Sequence, residues 1–246
     1  MQEMKNESIQ YTINNNLSVD YKDAGIPILS QPIVDEVGTI KPNTNFLYLV
    51  SKRLFDIILS MLAILITFPI LMVTAIIIKL EDPKGKVLYI APRGGKYGVA
   101  FPCAKLRSMR SDADSIKAKL LEQNEMSGPV FKIKDDPRVT KVGKFIRKTS
   151  IDELPQLFNV FLGQMSFVGP RPLPIAEENA VEGIYKTREL VTPGITCIWQ
   201  ISGRNNIDFD DWMKMDMEYI QKQSLLFDLI ILLKTIPAVL TNKGAS

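Results

Sequence analysis

One long apolar segment dominates the pattern of hydrophobic and polar positions along the chain. Between residues 57 and 78 the side chains are apolar except for Ser60, Thr67, Pro69 and Thr74. About 20 consecutive apolar residues are enough for a helix to cross a bilayer. The segment therefore predicts a membrane helix, with a buried core helix as the alternative.

Three features favour a re-entrant helix over a straight span. Pro69 lies near the middle of the segment and predicts a kink. The arms on either side are roughly 18 Å and 14 Å long, each too short to cross about 30 Å of hydrocarbon. Basic residues flank both ends, as expected if both ends face the cytoplasm; they are Lys52, Arg53, Lys79, Lys84 and Lys86. Residues 46–82 are thus predicted to form a re-entrant membrane helix, with Thr67 covering backbone freed at the bend.

The segments that flank the membrane helix differ in character. Residues 1–45 have few periodic apolar positions and include a run of three asparagines, so they predict a weakly ordered arm. After the apolar segment, several glycines separate two strand-like runs, Val87–Pro92 and Val99–Leu106, which predicts a β-hairpin. Together with helical periodicity further along, this predicts an α+β fold that is mainly helical.

Two helices are predicted towards the C-terminal end. Trp212, Met213, Met217 and Ile220 recur at helical spacing. The apolar stretch from Leu225 to Leu240 follows. It suits a packed core helix or an amphipathic helix lying in the membrane interface, and the pattern leaves both open.

Composition then narrows the chemistry. The 246 residues include no histidine, which excludes an imidazole base, phosphohistidine and histidine metal ligands. Cys103 and Cys197 lack the spacing of a metal site. The net charge of +3 is too small to indicate nucleic acid by itself. Basic residues cluster between 132 and 148, which suits an anionic lipid surface, a phosphorylated substrate or a solvated face.

The most informative motif sets two adjacent carboxylates among basic side chains. The run from Arg147 to Gln156 contains Asp152 and Glu153, and Pro170-Arg171-Pro172 follows it. An aspartate beside guanidinium groups can stay ionised near a phosphorylated substrate, and carboxylates serve as nucleophiles towards phosphoryl groups. The alternative is structural, because Ser150 and Glu153 have the spacing of a helix capping box.

Two further patterns carry weaker signals. Lys105 and Arg107 alternate on the second predicted strand, where they would bind phosphate or form an ordinary exposed charged face.

Two Asp-x-Asp pairs resemble the metal-binding pattern of nucleotide-sugar glycosyltransferases. They are Asp112 with Asp114 and Asp208 with Asp210. Acidic residues at helix starts give the same pattern, so helix capping is the favoured interpretation. A glycosyltransferase that uses such a pair and releases nucleoside diphosphate is the alternative function.

Taken in order, the motifs resemble those of the bacterial sugar transferases, the monotopic polyprenyl-phosphate phosphoglycosyl transferases. The resemblance covers about three quarters of the chain. The matching blocks include Lys52-Arg53-Leu54-Phe55-Asp56, Arg93-x-Gly95-x-x-Gly98-x-x-Phe101, Lys105-x-Arg107-Ser108-Met109, Asp136-Pro137-Arg138-Val139-Thr140, Asp152-Glu153-Leu154-Pro155-Gln156, Gly169-Pro170-Arg171-Pro172, Pro193-Gly194-Ile195-Thr196 and Trp199-Gln200-Ile201-Ser202-Gly203-Arg204.

This resemblance implies the transfer of a sugar-1-phosphate from a UDP-sugar to polyprenyl (undecaprenyl) phosphate, with release of UMP. Asp152 would be the nucleophile that forms a covalent phosphosugar intermediate, Glu153 its base or metal partner, and Mg²⁺ would bind at Asp152. Residues 83–246 would form a catalytic domain with interfacial helices on the cytoplasmic face of the bacterial inner membrane. The basic residues expected to bind substrate phosphates are Lys105, Arg107, Arg147, Arg171 and Arg204, with Pro170 and Pro172 supporting the motif of Arg171.

Some positions depart from the family pattern, and some properties stay open. Phe68 stands before Pro69 where the family usually has serine, and Cys197 stands where glycine is usual. The sequence does not identify the sugar, although residues 174–192 are a candidate region for its recognition. Polyprenol length and oligomeric state are open as well.

Overall fold

The computed structural model describes residues 11–13, 17–19, 40–117, 120, 133, 136–202 and 207–240. Helices predominate in this part of the chain, and its strands pair two by two. Before residue 40, the described residues of the predicted N-terminal arm form two strands, β1 (Tyr11–Ile13) and β2 (Leu17–Val19). These strands pair antiparallel. The prediction of a mainly helical fold with a short antiparallel hairpin is confirmed.

The predicted membrane segment forms one long helix, α1 (Phe46–Glu81), of 36 residues. The Asn45 side chain caps its start by accepting the backbone N–H of Leu47 at 2.9 Å. At 1.5 Å per residue α1 is about 54 Å long, which exceeds the roughly 30 Å of a hydrocarbon core.

Most of α1 is exposed and apolar. Its most apolar 18-residue window is 11% buried, and by length and composition this helix could cross a membrane. Leu65 is 73% exposed and Leu80 75% exposed. The alternative of a buried core helix is therefore wrong.

Pro69 lies inside α1, and its ring removes the backbone donor for the carbonyl of Leu65. The Thr67 hydroxyl donates instead to the carbonyl of Ala63, at 2.7 Å. The prediction that Thr67 covers the freed carbonyl is therefore wrong. Its hydroxyl bonds the Ala63 carbonyl, one turn before Thr67, and not the Leu65 carbonyl that Pro69 leaves without a donor.

The predicted hairpin is confirmed. Strands β3 (Leu88–Arg93) and β4 (Phe101–Leu106) pair antiparallel in a register that sets Tyr89 opposite Lys105. The turn between them contains Tyr97, whose φ of 59° lies in the left-handed region.

Three helices follow the hairpin, two before the acidic motif and one directly after it. Thr140 caps the second of them by accepting the backbone N–H of Gly143 at 2.9 Å. A side chain at Gly143 would clash with the Ser108 carbonyl, since an added Cβ would lie 1.9 Å from its oxygen. The helices are α2 (Ala113–Lys117), α3 (Lys141–Lys148) and α4 (Gln156–Leu162), and a 3₁₀ turn, Ile151–Glu153, lies between the last two.

A short parallel strand pair that the sequence did not predict brings two loops together. Strands β5 (Ser166–Val168) and β6 (Gly194–Thr196) pair in parallel. The connection between them contains Pro170-Arg171-Pro172, helix α5 (Ile175–Asn179) and a 3₁₀ segment, Gly183–Leu190.

The C-terminal helices complete the core. Trp212, Met213, Met217 and Ile220 are all buried, which confirms the predicted packed helix. The predicted Leu225–Leu240 helix is also confirmed, and it combines the two open alternatives, because Ile231 is buried while several leucines are exposed. These helices are α6 (Ile198–Ser202), α7 (Phe209–Lys222) and α8 (Leu225–Leu240).

Polar side chains near the start of α1 attach it to the elements around the acidic motif. Lys52 Nζ lies 2.7 Å from Asp228 Oδ2 and donates to the Val168 carbonyl at 3.0 Å. Arg53 donates to the carbonyls of Val160 and Phe161 at the end of α4, both at 2.7 Å. The Lys-Arg pair before the apolar segment thus anchors the helix to α4, α8 and β5.

The other end of α1 packs on the same body of the protein. The Arg107 guanidinium forms an ion pair with Asp82 and donates to the Asp82 carbonyl at 2.9 Å. Ile78 is buried in a cluster with Leu106 and Ile146. Both ends of α1 are therefore in contact with the elements that follow it.

Candidate active site

The acidic motif forms a strained turn rather than a capped helix start. Ser150 has a φ of 57°, in the left-handed region that non-glycine residues rarely adopt. The Ser150 side chain makes no capping hydrogen bond among the described residues. Helix α4 begins after Pro155 and has no side-chain cap there either. Glu153 points to basic side chains instead. The capping-box interpretation is therefore wrong.

Glu153 is held between two cations. Its Oε1 lies 2.7 Å from Lys105 Nζ and accepts a hydrogen bond from Arg171 Nη2, while its Oε2 accepts from Arg171 Nη1 at 3.3 Å. Burial alone would raise the pKa of Glu153, but Arg171 and Lys105 outweigh it and hold that pKa well below its usual range. Glu153 is therefore an ionised clamp that brings Lys105 and Arg171 together.

Asp152 has the opposite environment. Its residue is 8% exposed, and its carboxylate accepts no hydrogen bond from the described residues. Burial and the neighbouring Glu153 charge raise the pKa of Asp152 to about 6, although Lys105, Arg147 and Arg171 oppose the rise. A desolvated carboxylate without hydrogen-bonding partners, surrounded by cations, is suited to act as a nucleophile or a metal ligand.

Arg147 approaches Asp152 from α3. Its Nε donates to Ser108 Oγ at 2.8 Å. Burial lowers the pKa of Arg147, and the charge of Asp152 opposes that effect. The neighbouring Asp136 carboxylate, which pairs with Arg138 at 2.6 Å, also favours the charged form of Arg147.

A buried ion-pair network supports the loop of Arg171. The Arg188 guanidinium donates to the Arg171 carbonyl at 2.5 Å, and it also pairs with Glu178 and Asp216. The Pro170 carbonyl accepts from Gly194 N at 2.9 Å. Pro170 and Pro172 thus flank an arginine whose backbone is fixed on both sides.

The structure does not bring every predicted residue to this group. Arg107 turns towards Asp82 at the end of α1 and lies in an ion pair there. Arg204 lies outside the described residues. Lys105, Arg147 and Arg171 are therefore the predicted phosphate-binding residues that surround the carboxylate pair.

The sequence pattern did not predict the ion pairs of Arg188 with Glu178 and Asp216 that support the Arg171 loop. Glu178 and Arg188 fall in the region predicted to recognise the sugar, but both are buried and pair with each other at 2.5 Å. Asp216 reaches the network from α7. A charged residue among the apolar positions of a core helix was the available signal for Asp216.

A magnesium ion would find one carboxylate available in this site. Among the described residues no group of three or more histidine, cysteine, aspartate or glutamate side chains could hold a metal ion. Magnesium nevertheless needs few protein ligands when substrate phosphates and water supply the others. Asp152 fits that requirement, since its oxygens are not taken up by the neighbouring cations as those of Glu153 are.

The Asp-x-Asp pairs have other roles where their side chains are described. Asp208 caps α7 by accepting the backbone N–H of Asp211 at 2.8 Å, which confirms the capping interpretation at that position. Asp112 forms an exposed ion pair with Arg110 at 3.1 Å.

Comparison with known proteins identifies the family. The chain matches the bacterial sugar transferase family over residues 47–242, and it therefore belongs to that family. It is 44% identical over 202 residues to the galactosyl transferase CpsE of Streptococcus agalactiae, a match that covers 82% of this chain and 44% of that protein.

Two further relatives carry names that specify a lipid-linked phosphate. The undecaprenyl-phosphate galactose phosphotransferase of Salmonella typhimurium is 40% identical, with 79% of this chain and 41% of that protein covered. The UDP-glucose:undecaprenyl-phosphate glucose-1-phosphate transferase of Caulobacter vibrioides is 34% identical, with 88% and 87% covered. The chain thus spans less than half of two of these relatives and most of the third.

Proposed function

We propose that the protein transfers a sugar-1-phosphate from a UDP-sugar to polyprenyl (undecaprenyl) phosphate and releases UMP, a first membrane step of surface polysaccharide assembly. The observation that carries this proposal is Asp152, a buried carboxylate with no hydrogen bond from the described residues, beside the clamp of Lys105, Glu153 and Arg171. The name of the Caulobacter relative supports both the donor class and the acceptor class, and the name of the Salmonella relative supports the acceptor.

The reaction would proceed in two displacements. An oxygen of ionised Asp152 attacks the phosphorus that carries the sugar. The bond from that phosphorus to the bridging oxygen of the diphosphate breaks, and UMP leaves with the electron pair. A phosphate oxygen of the polyprenyl phosphate then attacks the same phosphorus and displaces Asp152, which yields the lipid diphosphate sugar. A covalent intermediate divides one exchange between two bulky phosphates into two steps.

The cations have the role that phosphoryl transfer requires. Lys105, Arg147 and Arg171 would hold phosphate oxygens and neutralise the charge that spreads over them. Mg²⁺ at Asp152 and the donor diphosphate would add further charge neutralisation there. Because Glu153 is ionised and already engaged by Lys105 and Arg171, it would position these cations rather than accept a proton.

We also propose that α1 is re-entrant and leaves the protein on the cytoplasmic face. Asp82 is 30 residues beyond Lys52, or about 45 Å along the helix, more than the hydrocarbon thickness. Yet both residues form ion pairs with the same protein body, Lys52 with Asp228 and Asp82 with Arg107. A straight span would separate them on opposite sides of the membrane, so these contacts favour a helix that enters and returns.

Product analysis tests the proposed reaction. Purified protein with Mg²⁺, polyprenyl phosphate and a panel of UDP-sugars is expected to release UMP with one of the sugars. Asp152→Asn should abolish release, while Asp211→Asn, an exposed control, should keep it. With radiolabelled UDP-sugar and no acceptor, label should become bound to the wild-type protein and not to Asp152→Asn.

The alternative function predicts another product. A glycosyltransferase that uses an Asp-x-Asp pair would release UDP and would lose activity in Asp112→Asn or Asp208→Asn. Detection of UDP with full activity in Asp152→Asn would overturn the phosphosugar mechanism.

A further inference from the structure

A further arginine, Arg93, lies near the carboxylate pair. Arg93 ends strand β3, and the register places it, Ala91 and Tyr89 opposite Phe101, Cys103 and Lys105. Because cross-strand partners share a face of the sheet, Arg93 and Lys105 lie on the same face of the hairpin.

The backbone around Arg93 is joined to the loop of Arg171. Gly94 N donates to the Leu173 carbonyl at 3.0 Å, and Arg93 forms a bridge with Pro174. The hairpin end therefore lies against the segment that directly follows Pro172. The charge of Arg171 is close enough to Arg93 to affect its pKa.

The charge of Arg93 is only partly offset within the described residues, by the Glu177 carboxylate, which raises the pKa of Arg93. Its half-buried guanidinium has neither a hydrogen bond nor an ion pair there. Burial and the like charge of Arg171 both lower the pKa of Arg93. Other buried arginines differ, since Glu153 pairs with Arg171 and Glu178 pairs with Arg188.

A small cleft lies beside Arg171, next to the end of β3. Its lining carries both signs of charge, since it includes Arg171 and Arg188 as well as Glu178 and Glu189, beside Gly94 and Gly95. A side chain at Gly94 would press on Glu178, because an added Cβ would lie 2.7 Å from Glu178 Cγ. Gly94 and the Glu178 side chain thus pack tightly against each other at this cleft, which Arg171 also lines.

We propose that Arg93, together with Arg171, binds a phosphate group of a substrate. The inference rests on the proposed function for the identity of that substrate, which is either the donor diphosphate or the lipid phosphate. Two guanidinium groups on one phosphate match its oxygens with charge-assisted hydrogen bonds and relieve the repulsion between the arginines.

Binding of inorganic pyrophosphate to the full-length protein in detergent tests the site independently of turnover. Calorimetry should show affinity about 10- to 100-fold weaker in Arg93→Gln than in wild type. Arg93→Lys should restore part of it, and the exposed control Arg110→Gln should match wild type. Equal affinity in Arg93→Gln would overturn the proposal, whereas loss of affinity in a protein that never forms UMP would overturn only the proposed function.

Two kinetic arms identify which phosphate is bound. If it belongs to the donor, single-turnover UMP formation without acceptor should slow about 10- to 100-fold in Arg93→Gln. If it belongs to the lipid, that step should be unchanged while the KM for polyprenyl phosphate rises. Arg93→Gln should also keep the wild-type melting temperature, because no ion pair within the described residues is lost.

Discussion

At the scale of single residues, two adjacent carboxylates are distinguished by their contacts. Glu153 is ionised between Lys105 and Arg171, whereas Asp152 is buried and accepts no hydrogen bond from the residues that the structure describes. Environments that push two neighbouring pKa values apart are typical of sites where the groups have different roles. Here the difference supports the proposed roles, with Asp152 as the attacking group and Glu153 as the residue that positions the cations.

The pH dependence of the first step should report Asp152. Because its pKa is raised to about 6 by burial and by Glu153, it must lose its proton above that pH to attack. We expect kcat/KM for the UDP-sugar to fall as the pH drops below about 6, approaching tenfold per pH unit. A rate that stays level down to pH 4.5 would contradict this assignment.

Ionised Asp152 should also lower the stability of the folded state at neutral pH. A carboxyl with a raised folded pKa holds its proton in the folded state between about pH 4 and 6, where the unfolded chain has released it. Stability therefore falls as pH rises through that window. Asp152→Asn should be more stable than wild type at pH 7.5, by roughly 1 to 3 kcal/mol, and close to wild type at pH 4.

Thermal melting in detergent at both pH values measures this difference. The control is Asp211→Asn, because Asp211 is exposed and pairs only with exposed Lys214 among the residues described. A lower melting temperature for Asp152→Asn at pH 7.5 would show instead that Asp152 contributes to folding.

At the scale of elements, the first turns of α1 position the site. Arg53 donates to the last carbonyls of α4, the helix that directly follows the acidic turn. Asp56 accepts from Phe167 N at 3.0 Å in β5, which leads to Arg171. One segment of α1 therefore holds the two elements that adjoin Asp152 and Arg171 in the chain.

Loss of the Arg53 contact should impair positioning. Arg53→Met removes two hydrogen bonds that lysine cannot reproduce in the same fork geometry. We expect kcat to fall about tenfold with a much smaller change in KM, and Arg53→Lys to recover only part of the loss. Lys84→Met, at an exposed position beyond the other end of α1, is the matched control. Wild-type kcat in Arg53→Met would show that α4 needs no such anchor.

At the scale of the whole molecule, the decisive feature is that both ends of α1 contact one body. Many apolar side chains between those ends are exposed, including Ile66 and Phe68. Burying them in lipid is favourable by about 25 cal/mol per Å². The polar ends and the apolar middle together favour a protein attached to one membrane face.

Cysteine labelling in bacterial cells tests this topology. Thr44→Cys and Glu218→Cys are exposed positions before α1 and in α7. Both are expected to react with a membrane-impermeant maleimide only after the inner membrane is permeabilised. Labelling of Thr44→Cys alone in cells with an intact inner membrane would mean that α1 spans the bilayer.

The sequence by itself determined the elements and the motifs. The membrane helix, the β3–β4 hairpin and helices α7 and α8 followed from local periodicity and glycine placement, which act within a few residues. Asp152 was found because its neighbours in the chain are basic.

Only the tertiary structure decided what those residues contact. Ser150 and Glu153 have capping-box spacing, yet Glu153 binds cations 48 and 18 residues away in the chain. Lys105 and Arg107 look equivalent on a strand, but one faces Glu153 and the other the end of α1. The network of Arg188 with Glu178 and Asp216 is likewise assembled by long-range packing. Such pairings depend on which elements meet in space, and local sequence patterns do not contain that information.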